Sequence, residues 1–444
     1  MNDFSADAPK GAPVPTGRLK RASVLGATTA AIAGDVALGG LKRLAQGERP
    51  KLSDLLLTPN NARRIADDMA RLRGATMKVG QLMSMEVGEL MPPEIAQQFE
   101  RLRAAGETMP PAQVRDVLQQ ELGCDFTRHF KRFNPRPIAA ASIGQVHRAM
   151  LKDGREVAIK LQYPGVKESI DSDVSNIARL MKLSGAIPSE FDMGSLLETA
   201  RQQLHEEADY EREAAQMESF RIALKADPRF VIPEHLPDLN TPHVLVMEFL
   251  ESQPLESVET APQDQRDTVT NALISLLLWE LFDARHMQTD PNLANYRIMG
   301  DGKIALLDFG AARRFPEPLV EGYRQLLIAG LSGVPDEINA AATQLGYFED
   351  AMPDALRQRL LVLFDMVMEP LRTAGTYDFG KSDLLPRLRD AGMEMAMERS
   401  LGPTPPPDSL FLHRKVAGMF LLAVRMKARL DVGAMVAPYA TSGR

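Results

Sequence analysis

Only one cysteine, Cys124, occurs in the 444 residues, and no run of 18 apolar residues appears anywhere. A lone cysteine forms no intramolecular disulfide and cannot by itself hold a structural zinc, so the chain fits a reducing compartment, with Cys124 expected as a small buried hydrophobe. Without a long apolar run there is no obvious membrane-spanning helix. Basic charge is short as well. The 52 Lys and Arg stand against 59 Asp and Glu, a formal net charge of −7, and no basic stripe interleaves with aromatics, which leaves no expectation of nucleic acid as a partner. Internal repeats and low-complexity tracts are absent too. What remains, 44% hydrophobic and 25% charged residues, is the composition of a globular protein. Its length suits two or three domains or one large two-lobed unit.

Composition and periodicity divide the chain into four parts. Residues 1–50 read as an N-terminal arm: a tail with Pro9, Pro13 and Pro15, then an Ala/Gly-rich stretch from Ala22 to Leu41 flanked by Arg18, Lys20, Arg21 and by Lys42, Arg43. That stretch is open to two readings, contact with a membrane surface or a packed or flexible arm. Residues 51–125 form a helical extension, with apolar residues recurring every three and four positions. From 126 to 250 short apolar and alternating segments take over. "IGQVHRAML", "KDG" and "REVAIKLQY" predict a β-hairpin turning at Asp153-Gly154, and "HVLVMEFL" a buried strand. Helical patterns run between them, from 165 to 183 and from 194 to 223. Residues 251–444 are mostly helical, apart from a second hairpin in "NYRIMGDGKIALLDFG". Near the C-terminus, "LFLHRKVAGMFLLAVRMKARL" is interrupted by Arg414, Lys415, Arg425 and Lys427, which favours a packed amphipathic helix over a span, with membrane-surface binding as the other reading.

Taken singly, Lys160 at a strand end or Asp290 before a proline means little. Their order means more. "AAASIGQV" (139–146) aligns with a glycine-rich phosphate loop, keeping Gly144 and Val146 but placing Ala139 and Ala141 where glycines are expected. "VAIK" ends at Lys160, Asp290 and Asn295 stand five apart, and Asp308-Phe309-Gly310 follows across the second hairpin. This set resembles the protein-kinase signature. It implies a bilobal, α+β, protein-kinase-like fold that takes ATP and Mg²⁺.

Phosphoryl chemistry rests on cations and positioned donors more than on covalent catalysis. Lys160 then contacts the α- and β-phosphates beneath a cover made by Ala139, Ala140, Ala141, Ser142, Gly144 and Val146. Alanine, less permissive than glycine, makes that cover stiffer, with a helical form as one option. Asn295 and Asp308 offer the oxygen ligands Mg²⁺ prefers, and Asp290 orients or deprotonates the nucleophile. His286 reads as a structural histidine. The backbones of Glu248 and Leu250 are candidate adenine contacts at a hinge. In "LHEEADYEREAAQ", a continuous helix would put Glu206, Asp209 and Glu213 on one face, with Glu207 and Glu211 offset.

Taken together these residues resemble the UbiB/AarF (ADCK) family of atypical protein-kinase-like proteins, over about residues 50 to 430. "KVGQ", with Lys78, Gly80 and Gln81, looks like its K-x-G-Q motif. "AAASIGQVHRA" is similar to its alanine-rich loop, and "EADYEREA" to its E-x-D motif, with Glu207 and Asp209 in that role and Glu213 as the Lys160 partner. "MQTDPNLAN" is closer to the ubiquinone-biosynthesis branch than to the branch reading H-x-D-P-H-P-G-N. No activation segment or A-P-E follows Asp308, and the chain is expected to turn helical at once.

The resemblance implies an ATP- and Mg²⁺-dependent kinase or ATPase supporting ubiquinone biosynthesis, peripheral to a bacterial inner membrane or its mitochondrial equivalent. A lipid or quinone intermediate and other biosynthetic proteins are its implied partners. The alternative is a nucleotide-sensing module that organises those enzymes without phosphoryl transfer.

Overall fold

The computed structural model describes residues 34, 108–141, 143–184, 193–348, 352–397 and 407–441. Lys78, Gly80, Gln81, Ser142 and, Gly34 apart, the arm and extension up to residue 107 lie outside the described residues. The chain divides into two compact units, Met1–Ser219 with Pro233–Phe249, and Phe220–Ile232 with Leu250–Arg444.

The described part of the first unit opens with helix α1 (Pro111–Leu122), which starts on a proline at its first turn and buries Val114, Val117 and Leu118. Four strands follow, β1 (Phe130–Phe133), β2 (Ala139–Ala140), β3 (Gly144–Leu151) and β4 (Glu156–Gln162). The β3–β4 hairpin turns where the sequence predicts, with Gly154 at φ 93°, a left-handed conformation that glycine adopts without steric cost. Helices α2 (Val166–Ser184), α3 (Met193–Glu207) and α4 (Tyr210–Ala223) come next. The division between units falls inside α4, and the short strand β5 (Phe230–Val231) belongs to the second unit. The chain then returns to the first for β6 (Val244–Glu248). The resulting antiparallel sheet has the order β1-β3-β4-β6, with β2 added to β3. Strands β4 and β6 are the most apolar, and Val157, Ile159, Leu161 and Val244 to Val246 are all buried.

Three expectations change here. Cys124 is exposed, because it follows the last turn of α1 instead of lying on the buried face of that helix. The alanines form strand, not helix: Ala139 pairs with Val146 and Ala140 with Gln145. The acidic run is not one helix. The chain leaves α3 after Glu207, the Ala208 carbonyl accepts a hydrogen bond from Gln162 Nε2 at 3.1 Å, and Asp209 caps α4 by accepting the Arg212 N–H at 2.9 Å. Glu206 and Glu213 therefore sit on different helices.

Beneath β3 lies a polar core. His147, fully buried, stacks on Phe133, donates from Nδ1 to the Asn134 carbonyl at 2.9 Å, and accepts at Nε2 from Gln145 at 2.8 Å. Burial pushes the imidazole down to about 4, against the hydrogen bond to Asn134. The unfolded chain therefore binds this proton first as pH falls: the stability is complete above about pH 6.5 and is lost towards pH 4, by about 3 kcal/mol. Urea midpoints measured across that window should fall less steeply in His147→Gln than in the wild-type chain.

The second unit is mostly helical. After β7 (Ser252–Pro254) comes α5 (Gln263–Phe282), whose Leu273, Leu276, Leu277 and Leu281 are buried. Strands β8 (His286–Gln288), β9 (Tyr296–Met299), β10 (Ile304–Leu306) and β11 (Ala312–Arg314) follow. The β9–β10 hairpin turns at Gly302, φ 86°, and β5, β10, β9 and β7 form one sheet while β11 pairs with β8. The residues after Phe309 are thus a strand before they become helix, since Ala312 to Arg314 pair with Gln288 to His286. Helices α6 (Glu317–Ser332), α7 (Pro335–Gln344), α8 (Asp354–Val367), the single turn α9 (Glu369–Arg372), α10 (Leu384–Met397), α11 (Pro407–Arg425) and α12 (Val432–Val436) follow, with the short strands β12 (Tyr377–Asp378) and β13 (Arg429–Leu430) pairing beside them. Leu326, Ala329, Ile338, Ala342 and Phe348 form a core between α6, α7 and the turn beyond α7. The α+β class expected from the sequence holds, with the sheet of the first unit followed by a helical second unit.

Candidate active site

In the first unit, the sheet places Ala139, Val146, Lys160 and Leu245 in one row of directly paired residues, so their side chains share a face. On that face the Lys160 ammonium donates to both Glu213 carboxylate oxygens, at 2.7 and 2.8 Å. The Lys160 side chain is 10% exposed and that of Glu213 is fully buried. Glu213 reaches it from the first turn of α4, the helix that Asp209 caps. Glu207, buried, ends α3, and half-buried Asp209 stands at the break between the helices.

The alanine hairpin is narrow. Ile138 N–H donates to the Val146 carbonyl and Ala141 N–H to the Gly144 carbonyl, both at 2.8 Å, so the Ala141 amide is engaged within the turn and does not point to a ligand. Ala139 and Ala140 are exposed. Gly144 has a different reason to be glycine from a phosphate loop's. A Cβ there would lie 2.3 Å from the Leu161 carbonyl oxygen and 2.8 Å from the Tyr210 hydroxyl. Tyr210, fully buried, sets its ring 5.2 Å from the Lys160 ammonium. It thus touches both the loop strand and the lysine, a role that periodicity did not reveal because an aromatic in an acidic run reads as ordinary core.

At the end of β6, Glu248 N–H donates to the Glu234 carbonyl at 2.8 Å, which removes it as an adenine donor and leaves its carbonyl as the candidate. In the second unit, the Leu250 carbonyl accepts from Ser252 Oγ at 2.9 Å.

The second unit holds the remaining acids and amide in one loop system. Gln288 pairs with Ala312, and the Thr289 hydroxyl donates to the Ala311 carbonyl at 2.8 Å, which fastens the Asp290 loop beside the chain leaving Asp308-Phe309-Gly310. Asp290, half-buried, accepts the Asn292 N–H at 3.3 Å, and Asn295 Nδ2 lies 3.5 Å from the Asp290 carbonyl. The Leu307 N–H donates to the Asn295 carbonyl at 3.1 Å, which puts Asn295 next to the residue before Asp308. Asp308 Oδ1 accepts the Gly310 N–H at 3.0 Å. Phe309 is buried against Phe220, ring centroids 5.0 Å apart, and Phe220 against His286 at 4.5 Å. His286 therefore sits in an aromatic stack, consistent with the structural reading.

The donor set suits Mg²⁺. One carboxylate and one amide oxygen on adjacent backbone segments are hard ligands, and Mg²⁺ takes few protein ligands and completes its shell with water and substrate phosphates. No group of three or more His, Cys, Asp or Glu side chains able to form a protein-only metal cage occurs among the described residues.

One unexpected side chain reaches this loop system. Lys415 of α11 is buried, donating to Gln288 Oε1 at 3.0 Å and to the Tyr296 hydroxyl, with Glu280 Oε2 at 3.9 Å. In the sequence it reads only as an interruption of an apolar run.

A family described as the ABC1 atypical kinase-like domain matches residues 101–340. The atypical kinase COQ8B, mitochondrial, of Rattus norvegicus is 37% identical over 428 residues, covering 94% of this chain and 79% of the relative. The atypical kinase COQ8, mitochondrial, of Saccharomyces cerevisiae is 34% identical over 429 residues, covering 95% and 84%. Among solved structures, the complex of Rv3197 with erythromycin from Mycobacterium tuberculosis aligns with a TM-score of 0.58 over 83% of this chain and 94% of that one; at 23% identity this is a likeness of fold.

Proposed function

Since this chain belongs to the ABC1 atypical kinase-like family and is a protein-kinase-like enzyme, we propose that it consumes ATP with Mg²⁺ in support of ubiquinone biosynthesis, acting at a membrane surface. The observation that carries the reading is the buried, bidentate Lys160–Glu213 pair. A charge pair so far from water gains little for stability, whereas a lysine held by a carboxylate is what the α- and β-phosphates of a nucleotide require. Lys160 binds those phosphates, Glu213 fixes its direction, and the alanine hairpin covers them. Asp290 orients the attacking hydroxyl or water and takes up its proton. Asn295 and Asp308 would hold Mg²⁺, which would supply positive charge against the phosphates.

The acceptor is water or a small or lipid-like molecule. Strand β11 and then α6 follow Gly310 closely, so no long activation segment intervenes there to seat a peptide. Attachment to the membrane is peripheral in this reading, and no described helix is long and apolar enough to cross one. Other proteins of ubiquinone synthesis are the expected partners, as the similarity to the COQ8 kinases suggests.

The test is Mg²⁺-dependent ATP turnover by the purified chain, with and without lipid vesicles. Asp308→Asn should lower it by roughly 100-fold or more. In cells lacking the protein, a quinone precursor should accumulate that the wild-type chain clears and Asp308→Asn does not. Turnover no higher than that of Asp308→Asn would sink the proposal, and nucleotide binding without turnover would point to an organising module instead.

A further inference from the structure

We propose that Lys415 is a positioning residue for the loop carrying Asp290 and Asn295, acting by clamping both stems of that loop from below. The inference rests on the role proposed for Asp290 but is argued from separate contacts. Gln288 is the last residue of β8, two before Asp290, and Tyr296 is the first of β9, immediately after Asn295. The one ammonium bonds to both, so the chain entering the loop and the chain leaving it share a single anchor. Glu280 of α5 adds a second hold on the entry side, accepting the Gln288 N–H at 3.2 Å.

The helix itself lies hard against the loop. At Gly418, close to one turn after Lys415, a Cβ would stand 2.2 Å from Pro291 Cβ, so only glycine lets α11 approach the residue that follows Asp290. Lys415 is held there at high cost: its side chain is 2% exposed and that of Glu280 1%. Desolvation disfavours the charge, and apolar side chains in place of both Lys415 and Glu280 would fill the space with no such penalty. Burial works against the ammonium, but the Tyr296, Glu280 and Asp290 side chains outweigh it and hold its proton more tightly than in an ordinary lysine. Asp290 thus lies within electrostatic reach of the clamp. A buried charge that does not repay its desolvation by stability, and whose two hydrogen bonds both go to the stems of one loop, is explained by the placement of that loop.

The experiment compares wild type, Lys415→Met and Tyr296→Phe in three measurements: ATP turnover, thermal melting and amide hydrogen exchange. Lys415→Met should lower kcat about 100-fold, the scale of a 1 Å misplacement, with KM for ATP within about threefold because the phosphate-binding lysine is untouched. Exchange should speed up at residues 289–295 while the rest of the second unit stays protected, and melting should fall, because Glu280 and Gln288 Oε1 lose their buried cation. Tyr296→Phe, which deletes only the hydroxyl that accepts from Lys415, should move kcat and exchange in the same direction by about tenfold, and it serves if Lys415→Met does not fold. Unchanged exchange at 289–295 would overturn the inference, as would a loss of protection spread over the whole unit. A wild-type chain without ATP turnover would defeat the proposed function, and the exchange measurement would still decide on the clamp.

Discussion

Replacing Glu213 by Gln is expected to abolish ATP turnover and to cost the first unit about 3 kcal/mol, because it strands the Lys160 ammonium in a largely buried site. The lysine donates to both carboxylate oxygens and is 10% exposed, so a neutral amide leaves one donor facing an NH₂ group and the charge uncompensated. The informative partner is the double change Lys160→Met with Glu213→Leu. Two apolar side chains of similar volume need no pairing, and their stability should equal or exceed that of the wild type, while turnover stays absent. Chemical denaturation of the wild type and the two variants beside ATP turnover separates the two roles. A double variant as unstable as Glu213→Gln would show that the pair holds the fold together and was not retained for nucleotide.

Gly144→Ala should have the next largest effect. Its methyl group would lie 2.3 Å from the Leu161 carbonyl oxygen, and that carbonyl cannot retreat easily, since Gly144 pairs with Gln162 and Gln145 with Leu161 in the same ladder. Strand β3 must then separate from β4 at its first residue, which displaces Tyr210, whose hydroxyl would be 2.8 Å from the new carbon. A loss of roughly 2 kcal/mol in stability is expected, the usual scale of overpacking, together with weaker nucleotide binding as the hairpin loses its base. Tyr210→Phe in the same chain should not restore either quantity, because the backbone clash remains. Recovery in that double variant, measured by melting and by nucleotide affinity, would show that the hydroxyl and not the carbonyl sets the limit.

Much of the fold was legible because the signals were local. The β3–β4 and β9–β10 hairpins followed from glycines that adopt positive φ, Gly154 and Gly302, between alternating or apolar runs. The order of Lys160, Asp290, Asn295 and Asp308 was legible as a kinase-like set before any contact was known. Other features were misread for an equally physical reason. The acid periodicity from Glu206 to Glu213 runs straight through Ala208, yet Gln162, 46 residues earlier, claims the Ala208 carbonyl where the helix breaks. The alanines looked capable of helix until β3 offered them a ladder, and a sequence window shows propensity without showing the neighbouring strand.

The sequence by itself determined which chemical groups are present, in what order, and in which class of local structure, because turn chemistry, hydrophobic period and motif spacing act within a few residues along the chain. The family resemblance implied Glu213 as the partner of Lys160, but only the tertiary structure brought the two into contact, and only it decided that Gly144 makes room for Leu161 and Tyr210 and that Lys415 lies under the Asp290 loop. Those outcomes depend on burial and on partners as many as 127 residues apart. A charge in water and the same charge in a packed interior are different chemical groups, and the chain must fold before that difference exists.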